Sequence, residues 1–115
     1  MGDLSAHFSR REFDCRDGQL AHPDPELIGR LERLRNLCGG RPLRIVSGYR
    51  DQAYNRAVGG APFSQHIYNR AADIPWGYAM VSEARAAGFR GIGYCGVWAV
   101  HVDVRPGPAV TFRDC

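Results

Sequence analysis

The stretch Ser64-Gln65-His66-Ile67-Tyr68-Asn69-Arg70-Ala71-Ala72-Asp73-Ile74 sets a histidine and an aspartate seven residues apart, around a turn-like Tyr68-Asn69-Arg70. A second histidine follows in the strand-like run Val100-His101-Val102-Asp103-Val104-Arg105. Two imidazoles and one carboxylate are the ligand set of a catalytic zinc, which keeps its fourth position for water. If His66, Asp73 and His101 converge, the chain has little freedom. The turn must fold Asp73 back beside His66, and Asn69 suits that turn because it tolerates positive φ. His101 must then come from a neighbouring strand. Residues two apart on a strand share a face, so Asp103 points the same way as His101 and either orients the site or takes part in proton transfer. Read from the residues alone, the alternative stays open that His66 caps a loop and His101 is a core histidine.

At 115 residues the chain is expected to form one domain, 1–115, with a single core. Hydrophobic residues make up 44% and charged residues 23%, the balance of a folded globular protein rather than a disordered one. The formal charge is +3, and all fifteen basic residues are arginines. They are spread along the chain without the clustered stripe of a nucleic-acid binder, so no nucleic-acid partner is expected. No apolar run reaches the roughly 18 residues that cross a bilayer. The opening Met1-Gly2-Asp3-Leu4-Ser5 lacks the basic start and apolar stretch of a signal peptide, so a cytoplasmic product is expected. Cys15, Cys38, Cys95 and Cys115 are scattered with no finger spacing. Four free thiols are expected, with a disulfide framework as the alternative.

Ser9 with Glu12 three residues on forms a capping box, and Phe8 and Phe13 are placed as a hydrophobic staple, so His7 to Phe13 reads as a helix start. His7 and His22 read as ordinary polar residues. Asp24 and Pro25 open the clearest helix, with Leu27, Ile28, Leu31, Leu34 and Leu37 on its apolar face and Gly39-Gly40 ending it. Leu43 to Ser47 reads as a strand, Asp51 caps a short helix to about Ala57, Ala71 to Pro75 reads as a second strand, and Tyr78 to Ala87 as a helix closed by Gly88. Ile92 to Cys95 and Val97 to Arg105 form a hairpin about Gly96, and Val110 to Arg113 adds an edge strand. The expected fold is α+β, a small antiparallel sheet with helices packed on it.

Ser-x-His-x-x-Gly-x-Ala-x-Asp followed by His-x-Asp-x-Arg resembles the zinc D-alanyl-D-alanine carboxypeptidase family of bacterial cell-wall peptidases. That superfamily includes phage endolysins, D-Ala-D-Ala dipeptidases and the hedgehog signalling domain. The resemblance also takes in Phe8-Ser9, Glu12-Phe13, Cys15, Ser47-Gly48-Tyr49-Arg50, Tyr54-Asn55, Val58-Gly59-Gly60-Ala61 and Gly91-Ile92-Gly93-Tyr94, nearly the whole chain in the family's order. It implies a hedgehog/DD-peptidase-like fold, a Zn2+ cofactor, and His66, Asp73 and His101 as its ligands. It makes Arg50 the binder of a substrate carboxylate, a role that suits the planar fork of a guanidinium. Ser64 and Gln65 become candidates for holding the substrate or the ligand loop, and Tyr49 either lines the pocket or is a half-buried core tyrosine. The chain departs from the family at Asn69, where the turn glycine stands, and at Trp98 and Ala99, where members carry an acid–base residue. Asp103 is then the expected base, with Glu83 or a loop acid as alternatives.

The resemblance implies a metallopeptidase that hydrolyses bonds in peptidoglycan stem peptides, either as a carboxypeptidase or as an endolysin-type endopeptidase. Its partner is the stem peptide, with no membrane insertion, a monomer is expected, and action on the wall follows release or export. Two competing readings are a zinc-holding binding module without turnover, and a structural zinc closed by a fourth protein ligand such as Cys95.

Overall fold

Helix α1 (Pro25–Leu37) begins where Asp24 caps it, its side chain accepting from the Glu26 N–H at 2.8 Å, with Pro25 in the first turn. The computed structural model describes residues 2–115. Leu27, Ile28, Leu31 and Leu34 are buried, and Gly39 and Gly40 take positive φ values of 80° and 73° to end the helix. Leu37 departs from the expected apolar face and is 45% exposed. At 3.6 residues per turn it sits about 80° round the helix from Leu27, which turns it away from the core.

The sheet is built around one strand. β4 (Trp98–Asp103) pairs antiparallel with β3 (Gly91–Cys95) on one side. On its other side it pairs with β1 (Ala71–Asp73) and then β2 (Ala79–Met80). β5 (Val110–Arg113) lies beside β3 and parallel to it, so the sheet is mixed rather than wholly antiparallel. The helices α2 (Gln52–Ala57) and α3 (Val81–Ala86) complete the α+β architecture.

Register decides what each face carries. Ala72, Val102 and Ile92 are paired neighbours and point into the core with Leu27, Leu31, Leu34, Phe8 and Phe13. Asp73, His101 and Gly93 form the row on one side of Ala72, Val102 and Ile92, and Ala71, Asp103 and Gly91 the row on the other, so both fall on the opposite face. Gly93 opposes His101 while Tyr94 opposes Ala99, which leaves Val100 as an extra residue in β4. This bulge changes the side-chain parity. Ala99 and Val102 can therefore both face the core, three residues apart, while His101 faces away.

Three further expectations are corrected. Leu43 to Ser47 is no strand: only Ser47 bridges Asp73, because β1 has just three residues to offer. Leu43 and Ile45 are nonetheless buried, so the alternation reported burial rather than a ladder. Helix α3 starts at Val81, three residues later than expected, since Ala79 and Met80 are drawn into pairing with β4. Cys95 and Cys115 form a disulfide, brought to a Cα separation of 4.9 Å because β5 runs alongside β3, whereas Cys15 and Cys38 are free. The N-terminal turn keeps its capping box, with the Ser9 N–H donating to Glu12 at 2.6 Å, and Phe8 meets Phe13 edge-on. It is one 3-10 turn, Arg10–Phe13.

Truncating Leu31 to alanine is expected to cost about 2–5 kcal/mol, as for a fully enclosed leucine, whereas Leu37→Ala changes stability by no more than about 0.5 kcal/mol. Urea unfolding midpoints measure both, and equal losses would contradict this orientation of α1.

Candidate metal centre and its cleft

Each of the three expected ligands is delivered by a different local device. His66 sits in a turn opened by Ser64, whose Oγ accepts from the His66 N–H at 3.2 Å. Asn69 closes that turn with φ of 60°, and its side chain accepts from the His22 N–H at 2.9 Å, a contact that ties the turn to the chain leading into α1. Asp73 ends β1 and is held by backbone bonds with Val46 and Ser47. His101 lies opposite Asp73 in the β1–β4 ladder.

The three side chains converge. Asp73 Oδ1 lies 3.2 Å from His66 Nε2 and 3.2 Å from His101 Nδ1, and the three atoms lie within 4.8 Å of one another. The far nitrogen of each ring is also engaged. His66 Nδ1 lies 2.6 Å from the Gly48 carbonyl, which can only accept, so Nδ1 carries the hydrogen. His101 Nε2 donates to Asp103 Oδ2 at 2.8 Å. In the neutral rings this leaves His66 Nε2 and His101 Nδ1 as lone pairs, both aimed at a carboxylate oxygen. Two ring nitrogens converging on one carboxylate oxygen, with the far nitrogen of each ring already engaged, make a set of two imidazoles and one carboxylate that fits zinc.

Charge follows the same pattern. Burial pushes the Asp73 carboxyl up, but the His101 and His66 contacts outweigh it and hold the group well below the ordinary carboxylate range. Burial disfavours charge on His101, and the carboxylates of Asp103 and Asp73 overcome it, raising its pKa to about 9. Without a metal, then, a proton occupies the place between His101 and Asp73, and metal loading must displace it.

Asp103 is fully buried and its oxygens are fully used. One meets His101 and the Arg105 guanidinium at 2.6 Å, and the other accepts the Arg105 backbone N–H at 3.0 Å and its Nε at 2.9 Å. Burial pushes this carboxyl up, and His101 and Arg105 together hold it well below the usual range. The expectation that Asp103 is the base is therefore corrected: it has no open side towards a substrate, and it fixes His101 instead. Gly91 makes room for it, since a Cβ there would run into the Asp103 carboxylate. The Gly91-x-Gly93 pair was visible in the sequence, but its reason, two large polar side chains on the next strand, is a matter of register.

An open cleft of about 410 Å³ exposes the centre, and its walls include Arg50, Ser64, Gln65, Phe63, Phe112 and Asp114 beside His66, Asp73 and His101. Arg50 donates to Asp73 Oδ2 at 3.1 Å and to Ser47 Oγ at 3.3 Å, which uses two of its five N–H groups. The Gln65 side-chain oxygen is buried in the same wall without a hydrogen-bond partner. Tyr49 does not line this cleft; it packs half-buried on the core. Glu83 is also elsewhere, accepting from the Met80 N–H at the start of α3. Trp98 meets Trp76 edge-on and Ala99 is buried in the core, and neither is part of the cleft wall. Cys95 is tied to Cys115 and is not a fourth ligand. Sequence reading missed Phe112, whose ring lies 5.4 Å from His101, and Asp114. Neither stands in a motif, and only the parallel placement of β5 brings them in.

Asp103→Asn is expected to weaken zinc binding about 10- to 100-fold, as loss of a partner behind a ligating histidine does. Glu83→Gln should leave it unchanged. Competition with a chromogenic chelator reads both, and an unaltered affinity in Asp103→Asn would sink the orienting role.

The family model described as Peptidase M15 matches residues 5–103. A zinc D-Ala-D-Ala carboxypeptidase from Streptomyces albus G is 36% identical over 74 residues, covering 58% of this chain. The chain spans 29% of the length of that relative. With the match taking in all three converging side chains and the strands β1 and β4 that carry two of them, the chain belongs to the Peptidase M15 family.

Proposed function

We propose that this chain is a zinc-dependent peptidase that removes the last residue of a bacterial peptidoglycan stem peptide ending in D-Ala-D-Ala. The observation that carries the reading is the convergence of His66 Nε2, Asp73 Oδ1 and His101 Nδ1 at the floor of a cleft that also holds Arg50. The similarity to a protein named for zinc and for D-Ala-D-Ala supports the choice of cofactor and substrate.

A bound zinc supplies Lewis-acid polarisation of a carbonyl and a lowered pKa for water. The chain's own residues do the rest. Gly48 and Asp103 hold the two rings in the tautomers that leave ligating lone pairs. Arg50, with donors left after its bonds to Asp73 and Ser47, receives the terminal carboxylate of the peptide. That contact sets the last peptide bond over the centre and favours a carboxypeptidase over an enzyme cutting internal bonds. Ser64 shapes the ligand turn, and Gln65 stands beside it in the cleft wall. One chain provides every group named, so a monomer suffices. Among the described residues no helix is long and apolar enough to cross a membrane.

A second reading, a zinc-holding module that binds stem peptides without turnover, is favoured by one observation. Trp98 and Ala99 carry no acid–base group and Asp103 is sealed, so none of the three offers one.

The zinc-loaded protein is expected to release D-alanine from a stem peptide with a free C-terminus. Amidating that terminus, or changing Arg50→Ala, should lower kcat/KM about 10- to 100-fold, the worth of a hydrogen bond to a charged group. Chromatographic product analysis decides. Equal cleavage of acid and amide would remove the Arg50 role and favour internal-bond cutting, and zinc-bound protein that cleaves neither would leave the binding module.

A further inference from the structure

Outside the three ligands, the cleft wall contains one carboxylate among the described residues, Asp114. It stands just past β5, beyond the residues 5–103 that match the family model. Its position is set across an absent side chain. A methyl group on Gly93 would lie 2.9 Å from the His101 Cβ, 2.9 Å from the Phe112 ring and 3.0 Å from Asp114 Oδ2, so a single carbon's width separates this oxygen from the ligand strand. Yet Asp114 is not part of the cluster whose donor atoms lie within 4.8 Å of one another. It is beside the centre without being in it.

Two adjacent residues of β3 pin it there. The Asp114 N–H donates to the Tyr94 carbonyl at 2.7 Å, and Cys115 is bonded to Cys95. Upstream, Phe112 packs on His101 and Arg105 stacks over Phe112, so the approach to Asp114 is fixed on that side as well. A packed ring at Phe112, a hydrogen bond at Asp114 and a covalent bond at Cys115 thus restrain one short segment.

We infer that Asp114 is the catalytic carboxylate of this peptidase, held beside the centre by the Cys95–Cys115 disulfide. The inference rests on the peptidase reading and supplies the group that the positions Trp98, Ala99 and Asp103 do not. In the forward step the carboxylate takes one proton from the attacking water as the water oxygen bonds to the carbonyl carbon of the scissile amide. In the second step the carbon–nitrogen bond breaks, and the same proton passes from Asp114 to the leaving amine. The carboxylate is regenerated, and one water is consumed for each bond cut.

The test uses zinc-loaded wild type, Asp114→Asn, Asp114→Glu and Cys115→Ser with a stem peptide ending in D-Ala-D-Ala. For each protein, zinc per chain, peptide affinity by calorimetry, kcat and KM are measured. Asp114→Asn is expected to lose about 10²–10⁴-fold in kcat, the range of a general base, with zinc content and peptide affinity unchanged. Asp114→Glu should recover part of that loss. Cys115→Ser should lower kcat by less than Asp114→Asn does, because the backbone bond to Tyr94 remains. Wild-type kcat in Asp114→Asn overturns the inference and leaves the peptidase reading standing. Zinc lost from Asp114→Asn makes the residue a fourth ligand, and a raised KM at unchanged kcat makes it a substrate contact; either overturns the inference. Zinc-bound wild type that cuts nothing overturns the peptidase reading, and this inference with it.

Discussion

Three acceptor atoms, two ring nitrogens each 3.2 Å from one carboxylate oxygen, repel unless something positive lies between them, and that constraint organises this protein. His66, Asp73 and His101 can stay together only because each is restrained from behind. The Gly48 carbonyl fixes the first ring, and Asp103 fixes the second. Asp73 is pinned by the bridge to Ser47 and by Arg50. A proton on His101 relieves the repulsion in the metal-free protein, and a divalent cation relieves it better, because it can meet all three atoms at once. The restraining bonds cost ordering entropy that the rest of the fold must offset, and the buried leucine face of α1 beneath the sheet is where that stability comes from.

The sheet meets two demands that conflict. Its core face must be apolar and closely packed, and its other face must carry two histidine–carboxylate contacts. A regular β4 would put Ala99 and His101 on one face. The extra residue at Val100 breaks that parity, so Ala99 joins the core while His101 and Asp103 lie on the other face. The glycines of β3 complete the accommodation. Gly91 and Gly93 lie opposite Asp103 and His101, where any Cβ would strike the neighbouring side chain. Bulge and glycines are one device, since room made at β3 is useful only if β4 aims its polar groups there.

What was legible in the sequence followed from local chemistry. The ligand turn could be read because Asn69 is a residue that accepts positive φ, and α1 could be read because its caps and its leucine spacing are local signals. The convergence of His66, Asp73 and His101 was legible through the order and spacing of the motifs that carry them. Features that depend on pairing between distant segments were not legible. Leu43 to Ser47 alternates like a strand, but a ladder needs a partner, and β1 offers one residue's worth of pairing. Val110 to Arg113 reads as an edge strand, but nothing in it says that it runs parallel to β3 or that it carries Cys115 to Cys95. Cysteine spacing has no bearing on a link made by strand register.

Asp103 and Asp114 show why residue type alone could not assign roles. Both are aspartates near the same histidine, and the sequence makes Asp103 the better candidate because it lies two residues away on the same strand. Burial reverses the choice. Enclosed at 0% exposure and gripped by Arg105, Asp103 is kept charged by partners that leave it no free oxygen, so it can orient an imidazole but cannot exchange protons with a substrate. Asp114 has the opposite surroundings: an exposed carboxylate on the cleft wall, whose backbone is restrained. A group that must accept and return a proton needs access to water and substrate, and a group that must hold a ring still needs the reverse. The fold separates the two requirements by placing one aspartate inside the sheet and the other at its rim.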